Sequence, residues 1–278
     1  MNKFQVLDNR SIISISGSNK FTFLQGLVTN DIREIESGKL DILYTLMLTP
    51  QGRFMYDFFI FRNGDRLLID HESQFTSEII SKLSMYKLRS DVVISDIKDQ
   101  YQIAFIDQKC RSVESGEYFF ADPRDSKLSF RAYIPNDRVE SFLHKNQLVE
   151  EKSIYENRLY ELCIPEPHRD MIQTRSFPLE YGMENLHAIS FEKGCYMGQE
   201  NTARTKYRGT VRKKLFKFVT DSTIKNIDLG TEIHHGDMKI GIFCSSHGSV
   251  GKALLRIEEL ESAGTKEFML GEYKIKII

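Results

Sequence analysis

The chain has 278 residues, and its 38 lysines and arginines against 39 aspartates and glutamates give a formal net charge of −1. This balance excludes a globally basic nucleic-acid-binding protein and an acidic-tail protein, but it leaves room for local charged patches. The length predicts one large or two modest domains, and a composition of 41% hydrophobic and 28% charged residues is typical of a globular chain.

Strand patterns dominate the predicted elements. The predicted strands are, in chain order, 11–16, 42–48, 54–61, 66–70, 101–106, 128–134, 214–219, 238–244, 250–256 and 272–278. The predicted helices are 19–28, 73–88 with Ser73 as its N-cap, 136–146 and 151–163. Because strands and helices do not alternate regularly, the pattern predicts an α+β fold, with a separate small β-domain after about residue 214.

The cysteines and the apolar runs allow a prediction of the cellular compartment in which the protein is found. The four cysteines, Cys110, Cys163, Cys195 and Cys244, form no C-x-x-C pair, and the histidines match no zinc spacing, so we predict no metal site. No run of about 18 apolar residues occurs, and the N-terminal segment does not resemble a signal peptide. We therefore expect a protein of the reducing cytoplasm that makes no contact with a membrane.

The segment 191–200, with the sequence FEKGCYMGQE, is the most unusual in the chain. Gly194 and Gly198 permit a tight turn around Cys195. Residues 193–217 hold eight lysines or arginines and one acidic residue, a local net charge of +7. If these side chains converge on Cys195, they would stabilise its thiolate and lower its pKa. The alternative without function is a glycine-rich turn with a half-buried cysteine, followed by a solvated basic strand.

Other interpretations of this region also stay open. His187 would act with Cys195 only through tertiary proximity. The basic stretch is suited to the phosphates of RNA or to the carboxylates of a polyanionic ligand, and Tyr196 and Tyr207 are suited either to stacking on a planar ring or to the core. Asp57 stands in an otherwise apolar strand, so its carboxylate must be paired or face a cavity.

The run Lys193–Glu200, KGCYMGQE, resembles the K-G-C-Y-x-G-Q-E signature of the YgfZ family of folate-binding proteins. That family is related to the glycine-cleavage T-protein, an aminomethyltransferase. The segments FLQGLVTND (23–31) and PQGRFMYD (50–57) resemble the family's F-L-Q-G-x-x-T-x-D and P-x-G-R-x-x-x-D, and VGKALL (250–255) resembles its closing barrel domain. The resemblance spans nearly the whole chain.

This resemblance implies a T-protein-like ring of α/β subdomains around a folate cavity, followed by a small C-terminal β-barrel. We expect a folate-binding region of two subdomains over residues 1–212 and the barrel domain over 213–278. The implied function is that of a tetrahydrofolate-binding accessory protein, rather than a classical enzyme, that supports assembly or repair of iron–sulfur enzymes and through them tRNA modification. The implied partners are folate and iron–sulfur proteins such as a tRNA methylthiotransferase, and direct contact with tRNA is left open.

The alternative function is folate-dependent one-carbon (aminomethyl) transfer. The T-protein has two adjacent aspartates where this chain has Tyr56-Asp57, so one carboxylate of the transferase is missing. The resemblance makes Cys195 the functional, catalytic cysteine. The residues that it assigns to folate binding are Gln25, Asp57, Lys193, Gly194, Tyr196, Gly198, Gln199, Glu200, Arg204 and Arg208.

Overall fold

A computed structural model describes residues 2–278. The chain divides into two compact units, each built from three separate stretches of sequence. The first unit comprises the residues up to Met47, Tyr56–Tyr155 and Asn185–Met197, and the second comprises Leu48–Met55, Glu156–Glu184 and Gly198–Ile278. The predicted domain boundary between residues 212 and 213 stays a prediction.

The strands are β1 (Asn2–Val6), β2 (Arg10–Ser16), β3 (Ile42–Leu48), β4 (Phe54–Asn63), β5 (Arg66–Glu72), β6 (Val93–Asp96), β7 (Tyr101–Ile106), β8 (Tyr118–Ala121), β9 (Phe130–Pro135), β10 (Leu148–Glu150), β11 (Lys213–Thr220), β12 (Glu232–His235), β13 (Met238–His247), β14 (Val250–Arg256), β15 (Glu267–Leu270) and β16 (Tyr273–Ile277). The α-helices are α1 (Lys20–Gln25), α2 (Arg33–Glu36), α3 (Thr76–Lys87), α4 (Val139–Asn146), α5 (Ile154–Glu161), α6 (Pro167–Asp170), α7 (Gln199–Arg208) and α8 (Ile257–Ser262). Within the described residues, none of the helices has the length and apolar character that crossing a membrane requires.

Two sheets organise the first unit, and the first of them is mixed, because β10 pairs parallel to β1. Their strand orders are β10-β1-β7-β9-β8 and β3-β4-β5-β2-β6. The predicted strands and helices of this region are present, with shifted ends. The predicted N-cap of α3 is wrong, because Ser73 begins a short 3-10 turn and its carbonyl accepts a hydrogen bond from Thr76 Oγ1 at 2.8 Å, so that the α-helix starts only at Thr76.

Buried charges connect the two sheets. The side chain of Asp70 on β5 is completely buried. Its Oδ1 accepts from Arg10 Nε on β2 at 2.7 Å, and its Oδ2 accepts from Arg131 Nη2 at 2.6 Å and from the Tyr133 hydroxyl at 2.9 Å, both on β9. Burial by itself would raise the pKa of Asp70, but the two guanidinium groups outweigh it and hold that pKa below its ordinary value. The carboxylate therefore stays charged and fastens β9 of one sheet to β2 and β5 of the other.

The same cluster extends to Asp122 and Arg124, which follow β8. Asp122 accepts two hydrogen bonds from the Arg124 guanidinium, at 2.9 and 2.8 Å, and Arg124 Nη2 also donates to the Tyr155 hydroxyl at 2.9 Å. The guanidinium carbon of Arg131 lies 3.9 Å from the centre of the Phe59 ring, and that of Arg124 lies 5.0 Å from it. These arginines thus gain both ionic and cation–π contacts in a dry interior.

A closed β-barrel forms the C-terminal part of the second unit. In the described part of the chain its strand order is β11-β14-β13-β12-β15-β16, and β16 pairs with β11 to complete the circle. Alternating residues of these strands fill the interior. The buried core consists of Phe218, Ile224, Ile233, Ile240, Phe243, Ala253, Leu255, Phe268, Leu270, Ile275 and Ile277.

A buried ion pair joins the barrel to α6 in the same unit. Lys252 Nζ on β14 donates to Asp170 Oδ2 at 2.5 Å and to the Ile164 carbonyl at 3.0 Å. The Ser245 hydroxyl donates to Asp170 Oδ1, and the Tyr160 hydroxyl donates to Ser245 Oγ at 2.7 Å. Every charged group of this network has a partner, as burial requires.

We expect the substitution Asp70→Asn to lower the free energy of unfolding by about 3–5 kcal/mol, because it leaves two buried guanidinium groups without their shared carboxylate. Urea titration at pH 7 measures the loss, and the exposed Asp41→Asn serves as the matched control. Since the pKa of Asp70 is held low, its contribution is complete above about pH 4 and declines as the pH falls further. The difference between wild type and variant should therefore narrow below about pH 4, and a constant difference down to pH 2 would contradict this assignment.

Candidate functional site

The candidate site is built around the signature loop, residues 191–197 of the first unit. Lys193 and Tyr196 are buried, whereas Gly194 and Cys195 between them are exposed. Lys193 Nζ donates to the backbone carbonyls of Gln25 at 2.9 Å, Val28 at 2.6 Å and Asn30 at 2.8 Å. An ammonium group has three hydrogens to donate, so these carbonyls use all of them. Lys193 therefore fixes the start of the loop.

The segment that receives Lys193 is itself held in one conformation. Gln25 Nε2 donates to Asp31 Oδ1 at 3.0 Å, and Gln25 Oε1 accepts from the backbone N–H of Ile32 at 3.0 Å. The backbone N–H of Met197 donates to the Gly26 carbonyl at 3.0 Å, which fixes the end of the signature loop. Gln25 and Lys193 thus act as supports for the loop, and direct contact of either with folate stays a prediction.

The stretch before the loop is attached in the same way. Thr29 Oγ1 donates to the Ala188 carbonyl at 2.6 Å, and Asn30 Nδ2 donates to the His187 carbonyl at 2.6 Å. The Ser190 N–H donates to the Thr29 carbonyl at 3.0 Å. The two motifs that the sequence resemblance singled out, around Thr29 and around Cys195, are therefore hydrogen-bonded to each other along their length.

Burial has an electrostatic consequence at Lys193. Removal of the ammonium group from water lowers the pKa of Lys193 to about 8, although the nearby carboxylate of Asp31 opposes the shift. The ammonium nitrogen also lies 5.1 Å from the centre of the Tyr196 ring. This cation–π contact joins the two buried residues on either side of Cys195.

The environments of the four cysteines differ. Cys195 is exposed, Cys163 is half-buried, and Cys110 and Cys244 are buried. Burial raises the pKa of Cys110 to about 12 and that of Cys163 to about 11, and it also raises the pKa of Cys244. Those three thiols are accordingly protonated at neutral pH, and Cys195 is the cysteine of the four that is exposed to solvent and to a partner.

Cys195 is exposed, so the half-buried cysteine of the alternative without function is excluded. Within residues 2–278 no hydrogen bond joins Cys195 to His187 or to another residue, so a Cys–His pair is not formed. No group of three or more histidine, cysteine or acidic side chains in the described chain is arranged to hold a metal ion.

The second half of the signature belongs to the second unit, where Gly198 begins α7. Gly198 has φ +85°, and a Cβ at this position would lie 2.5 Å from the Thr49 carbonyl oxygen. Gly52 in the turn between β3 and β4 has φ +74° and faces Gly198 at similarly close range. Asn201 Nδ2 donates to the Gln51 carbonyl at 3.1 Å. Both glycines are therefore needed for the turn to pack against the start of the helix.

Residues 199–208 form α7, so the basic strand of the alternative without function is wrong for these positions. Gln199, Glu200 and Ala203 favour helix, and the acidic first turn and basic last turn complement the helix dipole. Arg204 and Arg208 are exposed on this helix. The two tyrosines differ, since Tyr196 belongs to the core and Tyr207 is 64% exposed.

Asp57 is paired, which is one of the two alternatives that its apolar surroundings allowed. Its side chain is 3% exposed, and its Oδ2 accepts from Arg10 Nη1 at 3.1 Å. The preceding Tyr56 is buried, and burial together with a contact to Glu78 raises its pKa. Arg10 therefore links Asp57 to the Asp70 cluster.

The sequence analysis missed Arg10, Asp70 and Arg131. Asp70 ends the apolar run LLID, and Arg131 interrupts the strand pattern SFRAYI. A charge within an apolar strand needs a partner, and this holds for these two residues as it does for Asp57. Nothing local marks Arg10, because it stands at the first position of its strand.

Comparison with known proteins relates the chain to iron–sulfur assembly factors. Residues 212–278 match the family "CAF17, C-terminal beta-barrel domain". The iron-sulfur cluster assembly factor IBA57 homolog of Mycosarcoma maydis, a mitochondrial protein, is 30% identical over 226 residues, covering 77% of this chain and 56% of that protein. The human mitochondrial factor IBA57 is 26% identical over 278 residues, covering 92% of this chain and 78% of that protein. The chain is thus similar in sequence to IBA57-type iron–sulfur cluster assembly factors.

The chain spans only part of several of these relatives, for example 56% of the Mycosarcoma maydis protein and 63% of the mitochondrial homolog from Dictyostelium discoideum. Membership of the YgfZ family stays a prediction.

The comparison of structures identifies the fold. The crystal structure of the glycine cleavage system aminomethyltransferase T from Bartonella henselae matches with a TM-score of 0.74 at 10% identity, covering 99% of this chain and 84% of that one. The predicted α+β fold of the T-protein type with a C-terminal β-barrel is therefore confirmed. The folate cavity that the resemblance implies stays a prediction.

We expect Lys193→Met to lower the free energy of unfolding by at least about 2 kcal/mol, because buried carbonyls lose their donor at about 1–3 kcal/mol each. The exposed Lys109→Met is the matched control. Hydrogen exchange at the Met197 amide reports the loop itself, and it should accelerate in Lys193→Met alone. Unchanged protection of that amide would show that Lys193 does not hold the loop.

We expect Gly198→Ala to destabilise the protein by about 2 kcal/mol or more, since the new Cβ meets a backbone oxygen and the residue keeps a positive φ. Gly194→Ala is the control from the same signature, because Gly194 has no positive φ and a Cβ there meets nothing within 4 Å. Thermal unfolding of both variants makes the comparison, and equal melting temperatures would be inconsistent with the close approach at Gly198.

Proposed function

We propose that this protein is a tetrahydrofolate-binding accessory factor that supports assembly or repair of iron–sulfur proteins, with Cys195 as its working residue. One observation carries the proposal: the Cys195 thiol is exposed between two buried, anchored residues, Lys193 and Tyr196. An exposed thiol on a fixed loop is preorganised to meet a large partner. The relationship to IBA57-type assembly factors gives the class of partner.

The chemistry that we assign to Cys195 is ligation of iron in a cluster that passes to a client protein. Iron–sulfur clusters are normally held by several cysteine thiolates. The other three cysteines of this chain are buried or half-buried, with raised pKa values. We therefore assign the remaining ligands to the partner, so that Cys195 would share the cluster only during its transfer or repair.

The chemistry of the residues predicted to bind folate is suited to its pterin ring. The pterin presents N–H groups that require a buried acceptor, and an ionised carboxylate accepts about four hydrogen bonds. Asp57 Oδ2 accepts one from Arg10, so the carboxylate has capacity for a ring N–H. The glutamate tail of folate is anionic and would be attracted to exposed cations. Bound tetrahydrofolate would supply one-carbon chemistry, and this chain's residues would bind and orient it.

Effects on tRNA modification and location in the cytoplasm belong to the same proposal. A client such as a tRNA methylthiotransferase needs an intact cluster for its reaction. Loss of the accessory factor would then reduce tRNA modification through the client.

Aminomethyl transfer is the competing function, and one observation bears on it. Tyr56 is buried in the place of the transferase's first aspartate, and Asp57 is held in an ion pair with Arg10. If the protein catalysed aminomethyl transfer, Asp57 would have to serve by itself as the proton acceptor beside the folate. Formation of methylene-tetrahydrofolate from tetrahydrofolate and an aminomethyl donor, lost in Asp57→Asn, would favour the transferase over the accessory factor.

The test of the proposal combines genetics with binding. In a strain that lacks this protein, Cys195→Ser should fail to restore the activity of a cluster-dependent tRNA-modifying enzyme, while its melting temperature equals that of the wild type because the side chain is exposed. Cys163→Ala is the control for removal of a thiol elsewhere in the chain, and Glu192→Gln is the control for a substitution within the signature loop. Both variants should restore the enzyme activity in the deletion strain.

Calorimetric titration with tetrahydrofolate separates the two parts of the proposal. We expect Asp57→Asn to lose binding and Cys195→Ser to retain it. If the Cys195→Ser variant complements the deletion strain, the proposed role of the thiol is overturned. If titration of the wild-type protein with tetrahydrofolate releases or absorbs no heat, the proposed folate binding is overturned.

A further inference from the structure

A concentrated basic surface spans the end of α7 and the start of β11. Residues 204–214 contain six lysines or arginines and no acidic residue, in a chain whose net charge is −1. Arg204, Arg208, Arg212 and Lys214 are exposed. We call these four residues, together with Tyr207, the basic face.

Ion pairs within the second unit distinguish the basic face from its neighbours. Lys206 Nζ pairs with Glu184 at 2.5 Å, and Lys213 Nζ lies 3.6 Å from Glu180. Across residues 2–278, by contrast, no carboxylate lies within ion-pair distance of the four cations of the basic face. Their charge is therefore not neutralised by the described chain and is available to an anionic partner.

Tyr207 adds a planar group to this surface. It is 64% exposed, although an aromatic ring gains most from burial. Positions 204, 207 and 208 are related by the i, i+3 and i+4 spacing of an α-helix, so the tyrosine shares one helix face with two arginines. An exposed ring between guanidinium groups suits a nucleobase that stacks while its phosphates are bound on either side.

We propose that the basic face binds single-stranded RNA, with Tyr207 stacking on a base and Arg204, Arg208, Arg212 and Lys214 contacting phosphates. Charge alone would equally suit an acidic protein segment, but such a segment offers no ring for Tyr207. Duplex nucleic acid keeps its bases stacked inside, so a single exposed ring has nothing to stack on. The proposal goes beyond the proposed function, because it involves neither Cys195 nor a cluster.

The experiment measures the binding of a fluorescein-labelled 12-nucleotide oligoadenylate to the full chain by fluorescence anisotropy. Each phosphate contact on a single strand contributes about −0.7 to the slope of log K against log salt concentration, so four contacts predict a slope of about −2.8. A slope near zero would overturn the assignment of the four cations.

Variants at Tyr207 test stacking separately from charge. Tyr207→Ala should weaken binding about tenfold or more, whereas Tyr207→Phe should bind like the wild type because the ring is retained. Arg204→Gln and Arg208→Gln should each weaken binding and reduce the salt slope by about 0.7. Arg89→Gln removes an exposed arginine from the first unit and is the matched control, with no expected change.

Competitors and Cys195→Ser complete the test. Unlabelled oligoadenylate should displace the probe, and a polyglutamate peptide of equal charge should not. Equal displacement by the peptide, or equal affinity of Tyr207→Ala and wild type, would overturn the RNA assignment in favour of an acidic partner. Displacement by micromolar tetrahydrofolate polyglutamate would overturn it in favour of the folate tail. Cys195→Ser should bind RNA like the wild type. The outcome of the RNA-binding experiment is therefore independent of whether Cys195 has the role proposed for it in cluster assembly.

Discussion

The first unit depends on one buried carboxylate, that of Asp70, which holds Arg10, Arg131 and Tyr133 from strands of two different sheets. A charge without solvent is tolerated only when its partners are complete, so the positions of β2, β5 and β9 are mutually constrained. Arg10 carries the constraint one step further, since it also bonds Asp57. The residue that we assign to the pterin is thus fixed by the element that fastens the sheets.

The same physical rule fixes the signature loop. Lys193 is a buried cation whose partners are backbone carbonyls, and these three bonds determine where the loop begins. With Tyr196 buried on the other side, Cys195 remains at the exposed tip. Buried charge therefore positions both parts of the proposed site in the first unit, Asp57 and Cys195, while neither of the supporting groups needs to touch a ligand.

The relationship to iron–sulfur assembly factors and the T-protein fold gives these features a common context. The T-protein fold is retained, and within it Tyr56 is buried and Asp57 is paired with Arg10. What the chain offers to a partner is an exposed thiol in one unit and an exposed basic face in the other. The proposed role of Cys195 and the proposed RNA binding depend on different residues, so each of these two can fail without the other, although the sequence resemblance also assigns Arg204 and Arg208 to folate.

The properties of neighbouring residues were sufficient to predict much of the secondary structure. The alternation and turn residues around 42–61 and 214–256 predicted most strands, because periodicity and turn geometry are properties of neighbouring residues. The octapeptide identified Cys195 as the residue of interest for the same reason. By contrast, the short strands, α7 and the start of α3 were missed or misplaced, since weak local preferences yielded there to tertiary packing. The partners of Lys193 lie 163, 165 and 168 residues away, and Arg10 reaches Asp57 across 47 residues. The sequence by itself thus determined most of the longer strands and helices and singled out Cys195 as the candidate residue. Only the tertiary structure decided that Lys193 is a support, that Asp57 is paired and that Cys195 is exposed, because burial and charge pairing are set by residues distant in the chain.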